Sequence, residues 1–128
     1  MIHLRTVEEI DAIGRAGAII AALIAELPSR TVAGASTHDI NRFCDDFIVS
    51  HEGATPAFKG LYGFPGAVCT SVNEEVVHGI PNTESVLKDG DIVSVDVGVK
   101  LEGWCADSAW TFGVGEVDET TQDLMAVT

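Results

Sequence analysis

Between residues 7 and 27 apolar side chains return at helical spacing: Ile10, Ile13, Ile20, Leu23, Ile24 and Leu27 fall three, four or seven apart and predict an amphipathic helix. Thr6 stands where a cap belongs, and Glu9 three residues on completes a T-x-x-E capping box. Pro28 and the following SRTVAGAS end the element. A second stripe starts near Ser36, with Asp39 three residues later, and runs through Ile40, Phe43, Cys44, Phe47 and Ile48. Cys44 belongs to that stripe and reads as a small core residue. His51, Glu52 and Gly53 mark the end, with Gly53 as the C-terminal cap.

Beyond Gly53 the period changes. ATPAFKGLYGFPGAV is rich in glycine and proline and predicts a loop. VCTSVN and EVVHGI read as short strands, and NTESVLKDGD as another loop, with Asp91 a turn residue. IVSVDVGVK is the clearest strand. GWCADSAWTFGVG follows as its antiparallel partner across a Leu101-Glu102-Gly103 turn. A last helix, capped by Asp118 or Thr120 and opening an apolar face at Leu124 and Met125, is too short to bury much. Two helices followed by antiparallel strands predict an α+β fold. No repeat or linker divides residues 1–128, and the short final helix raises the expectation of an incomplete domain.

Composition narrows the partners. Seven Lys and Arg stand against twenty Asp and Glu, a net charge of −13, which argues against direct binding to nucleic acid or anionic lipid. No run of about 18 apolar residues could span a membrane. The first residues lack the apolar core of a secretion signal, so a cytoplasmic location is expected. Three widely spaced cysteines, Cys44, Cys69 and Cys105, suggest neither a disulfide framework nor a CxxC zinc site.

Against this background two aspartates stand out. Along the clearest strand Val93, Val95, Val97 and Val99 share one face, and Ser94, Asp96 and Gly98 the other. On the partner strand Cys105, Asp107 and Ala109 share a face. If residue 96 lies opposite 107 or 109, both carboxylates meet, whereas a slip of one residue separates them. Two close carboxylates cannot both stay charged in a dry site without a cation, and hard oxygen ligands suit a divalent metal. The bland alternative is a pair of solvated aspartates on an open sheet face. His78, before Gly79-Ile80-Pro81, is either structural or a hydrogen-bond donor to a reacting amide. Cys69, Phe64 and Leu61 line an apolar pocket or fill the core. Cys105 reads as a packed thiol.

The combination GFPGAVCTSVNEEVVHGIPN, LKDGDIVSVDVGV and GWCADSAWTFGVGEV resembles the type I methionine aminopeptidases, and with the two preceding helices the likeness spans essentially the whole chain. The resemblance implies the pita-bread (creatinase/aminopeptidase-like) fold, with residues 1–128 as the amino-terminal half of one metallo-aminopeptidase domain. It implies two divalent metal ions, cobalt, manganese, iron or zinc, held by two aspartates, a histidine and two glutamates. Asp96 and Asp107 match the two aspartates, and His78 matches the histidine beside the scissile amide. Cys69, Phe64 and Leu61 match the pocket for the methionine side chain.

The implied reaction removes the initiator methionine from nascent polypeptides whose second residue is small, in an enzyme monomeric at full length. This chain departs from the family at Leu61, where a tyrosine is usual, and at Gly98, where a threonine or similar polar residue is common. It also has Cys105-Ala106 where the family has His-Gly before the second aspartate. With two of the ligands, the chain alone is expected to be inactive. A rival reading from another class is a non-catalytic pita-bread-like module that binds peptides or a protein partner. A prolidase-like relative is a third, and the VNE…HGIP run speaks against it.

Overall fold

The computed structural model of the chain describes residues 1–128. Helix α1 spans Val7–Glu26 and opens with the expected box: Thr6 Oγ1 accepts from the Glu9 amide at 3.2 Å, and Glu9 Oε2 accepts from the Thr6 amide at 2.8 Å. Its buried face keeps Ile20 and Leu23 of the predicted stripe, with Leu27 beyond the helix end also buried, and adds small residues. Ala12, Ala16, Ile19, Ile20 and Leu23 are buried, whereas Ile10 is 57% exposed. Small residues face β4 on this side: a Cβ at Gly17 would stand in ordinary contact, 3.9 Å, with the Ala106 Cβ.

Helix α2 spans Thr37–Val49 and starts at Ser36, whose hydroxyl accepts from the Asp39 amide while Asp39 accepts from the Ser36 amide. Ile40, Cys44 and Ile48 are buried as the stripe predicts. The helix ends at Val49, earlier than a Gly53 cap requires. There the Ser50 hydroxyl donates to the Phe47 carbonyl, and His51 Nδ1 donates to the same oxygen at 2.9 Å. Those side chains satisfy the helix end, and Gly53 (φ 79°) instead turns the chain into the first strand.

Strands β1 (Ala54–Pro56), β2 (Val68–Val72), β3 (Ile92–Leu101) and β4 (Trp104–Gly113) form one antiparallel sheet centred on β3. β4 pairs along one edge of β3 over its full length, while β2 and β1 share the other edge. Leu101 pairs with Trp104, so the β3–β4 turn has two residues rather than three. Both have positive φ, Glu102 at 50° and Gly103 at 86°, the type I′ geometry that matches strand twist. Glu102 also meets Arg15 of α1 at 2.9 Å.

The segment EVVHGI is not a strand. Val76 and Val77 face solvent, and left-handed backbone at Asn73 and His78 prevents an extended run. The last helix, α3 (Glu119–Val127), is capped by Asp118 and buries no residue.

Both long helices cover one face of the sheet. Val93, Val95, Val97 and Val99 pack there with Leu23, Leu27, Ile40 and Ile48, all essentially fully buried. Each such side chain contributes roughly 1.5–3 kcal/mol relative to exposure. The valine face fixes the sheet's orientation, so Ser94, Asp96 and Gly98 turn to the uncovered side.

Candidate active site

The strand register brings the two aspartates together. Asp96 lies opposite Ala109 and Asp107 opposite Gly98, so both carboxylates emerge on the uncovered face, diagonal to one another. On the other side of β3, Cys69 lies opposite Asp96. Asp96 Oδ1 is buried and has no hydrogen-bond partner. Burial pushes the Asp96 carboxyl up to about 6, the charge of Asp107 and a hydrogen bond with it push the same way, and His78 opposes them. The pair therefore resists carrying two charges without a cation.

A cavity of about 500 Å³ opens beside them. All six residues singled out in the sequence line it: Leu61, Phe64, Cys69, His78, Asp96 and Asp107. Phe58, Tyr62, Pro65 and Ile80 join them without having been anticipated. A signal for Phe58 existed, since Gly98 interrupts the polar face where a side chain is expected. A Cβ at Gly98 would stand 2.5 Å from Phe58 Cε1 and 3.0 Å from Ala57 Cβ, so the missing side chain makes room for the loop that crosses the sheet. Tyr62 is fully exposed at the rim and left-handed, φ 51°.

Helix α2 holds the cavity walls. Asn41 Oδ1 accepts from the Ala67 amide at 2.7 Å, and Lys59 pairs with Asp45. Thr37 Oγ1 donates to the Asn82 carbonyl and accepts from the Asn82 amide, both at 3.0 Å.

Cys69 forms part of the cavity wall. Burial pushes its thiol up to about 11, with Asp96 and Asp107 adding to the effect. The thiolate, the reactive form, is therefore scarce near neutral pH. Cys105, read from sequence as packed, is exposed, because β4 is the outer strand and the site face is uncovered there.

The donor set suits a hard divalent cation in part. Two carboxylates and one unpartnered buried oxygen fit such an ion, but no group of three His, Cys, Asp or Glu side chains forms in the chain. No helix is long and apolar enough to cross a membrane.

Residues 11–128 match the model for metallopeptidase family M24. A methionine aminopeptidase of Clostridium perfringens is 46% identical over 128 residues, covering 100% of this chain and 51% of that protein. The crystal structure of a methionine aminopeptidase from Thermotoga maritima superposes with a TM-score of 0.95 at 42% identity, and that from Rickettsia prowazekii with 0.95 at 38%. Each alignment covers 100% of this chain and 51% of the solved chain. The chain thus spans about half the length of the relatives it matches.

Proposed function

Because the chain belongs to metallopeptidase family M24 and has its pita-bread architecture, we propose that it serves a methionine aminopeptidase, which hydrolyses the initiator methionine from nascent polypeptides with a small second residue. The observation that carries the reading is that Asp96, Asp107 and His78 line one largely apolar cavity. Residues 1–128 correspond to the amino-terminal portion of a single domain, in a monomeric cytoplasmic enzyme.

Asp96 and Asp107 would hold two divalent ions, cobalt, manganese, iron or zinc. When bound, such ions supply Lewis acidity and lower the pKa of water. His78 donates a hydrogen bond to the scissile carbonyl and to the negative charge that develops on its oxygen. Phe64, Leu61 and the neutral thiol of Cys69 surround the methionine thioether, a polarisable group suited to an apolar, sulfur-containing wall. Phe58 and Ile80 enlarge that wall. The pocket orients the substrate so that its first peptide bond lies between His78 and the carboxylates.

This reading requires a histidine, two glutamates and a general base in addition to the residues gathered here. The isolated chain is therefore expected to bind metal weakly and to be catalytically inactive. The test is paramagnetic broadening by Mn²⁺ in NMR spectra. Signals of residues flanking Asp96 and Asp107 should broaden selectively, and Asp96→Asn or Asp107→Asn should abolish the effect.

The rival reading is a binding module without catalysis. Uniform, weak broadening that neither variant changes would decide for that rival.

A further inference from the structure

His78 sits in the left-handed region at φ 61°, a conformation that is unfavourable for a non-glycine residue. It is also exposed, so packing does not impose this shape. The constraint comes from the next residue. Gly79 lies against β2 so closely that a Cβ there would stand 2.1 Å from the Thr70 carbonyl oxygen. Its carbonyl accepts from the Thr70 amide at 2.9 Å, and its amide donates to Ser71 Oγ at 3.1 Å. Ser71 is buried, shares the site face with Cys69, and lies opposite Ser94. Its hydroxyl is the only side-chain group hydrogen-bonded to the His78–Gly79 backbone.

The loop is held at both ends and free between them. At its start, Asn73 Oδ1 accepts from the Ile92 amide at 3.0 Å, while Val76, Val77 and His78 are exposed. The Gly79 amide bound to Ser71 pins the peptide plane between 78 and 79, and the Gly79 carbonyl bound to Thr70 pins the next plane, between 79 and 80. The first plane, together with the left-handed φ of His78, sets where the imidazole points.

We propose that Ser71 is a positioning residue for His78, holding the Gly79 amide so that the imidazole faces the carboxylate pair. The relevance to catalysis rests on the aminopeptidase reading; the geometric claim does not.

The experiment is amide hydrogen exchange and the His78 HN–Hα scalar coupling, measured by NMR on the whole chain for wild type, Ser71→Ala and Ser71→Thr. In wild type the Gly79 amide is expected to be protected. In Ser71→Ala its protection should fall roughly five- to tenfold, with a changed His78 coupling, while Val95 and Val97 amides stay unchanged. Ser71→Thr, which keeps the acceptor oxygen, should restore both readouts. Three results would overturn the proposal: an unprotected Gly79 amide in wild type, no change in Ser71→Ala, or an equal loss at Val95 and Val97. The wild-type measurement stands even if the alanine variant does not fold. Titration with L-methioninamide separates the two ideas. If His78 signals ignore it while Gly79 depends on Ser71, the functional reading fails and the positioning role survives.

Discussion

Asp96 and Asp107 face one another diagonally across the β3–β4 hairpin, with Ala109 and Gly98 as their direct partners. The small partners leave room for both carboxylates to lean together, and burial of Asp96 turns that proximity into a demand for a proton or a cation.

The first consequence is a stability profile. The Asp96 carboxyl is raised from the ordinary 3.8 to about 6, so the folded chain holds that proton more tightly than the unfolded one. Its contribution favours the fold below 3.8 and is lost as pH rises through about 6. In chelator-treated protein, Asp96→Asn should remove this decline and stabilise the fold at neutral pH by on the order of 1 kcal/mol, after solvent screening is allowed for. Urea unfolding at stepped pH measures it. Identical profiles for variant and wild type would contradict the coupling.

The three thiols should react unequally. Burial pushes Cys44 up to about 12 and Cys69 up to about 11, whereas Cys105 is exposed. A chromogenic disulfide reagent at mildly alkaline pH should show one fast thiol in the native protein. Cys105→Ser should abolish the fast phase and leave the slow ones.

Two glycines carry different kinds of contact. At Gly98 the obstacle is the Phe58 ring, so Gly98→Ala should cost about 1–3 kcal/mol by displacing it, and adding Phe58→Ala should recover part of the loss. At Gly79 the obstacle is the Thr70 backbone, which has no alternative rotamer. Gly79→Ala should therefore cost more than about 3 kcal/mol, with no rescue by trimming neighbours. Thermal melts of the variants compare the two directly.

Helix capping offers a local test. Ser36 is buried and caps α2, the helix that anchors both cavity loops, so Ser36→Ala should lower stability by about 1–2 kcal/mol. Thr6→Ala, at the exposed start of α1, should cost less. Equal losses in denaturant melts would argue against this ranking.

Much of this was legible in the residues. The period-two alternation around Val93–Val99 puts Asp96 on the face away from the core, and the capping box at Thr6 and the helix start near Ser36 are where the residues predict them. The motif resemblance pointed to Leu61, Phe64, Cys69, His78, Asp96 and Asp107 among the residues that line the cavity. What failed was long-range. The small residues on α1 face β4, which spacing alone cannot reveal. EVVHGI has strand composition, but Gly79 hooks onto β2 and leaves Val76 and Val77 without partners. Phe58 reaches the cavity because Gly98 makes room across about forty residues of sequence: the glycine marks a close approach, and only the folded sheet shows which residue makes it.

The two-residue turn at Glu102–Gly103 has a kinetic consequence. Both carboxylates ride on one hairpin, the most local tertiary element in the chain. Hairpins close in about 1–10 μs, whereas pairing β2 and β1 with β3 requires closing far longer loops. The acidic pair should thus assemble early, ahead of the walls that enclose it, and mutually repelling charges should slow that step as they ionise. Refolding of this chain should be faster below the titration of Asp96 than above it, and a divalent cation should restore the rate.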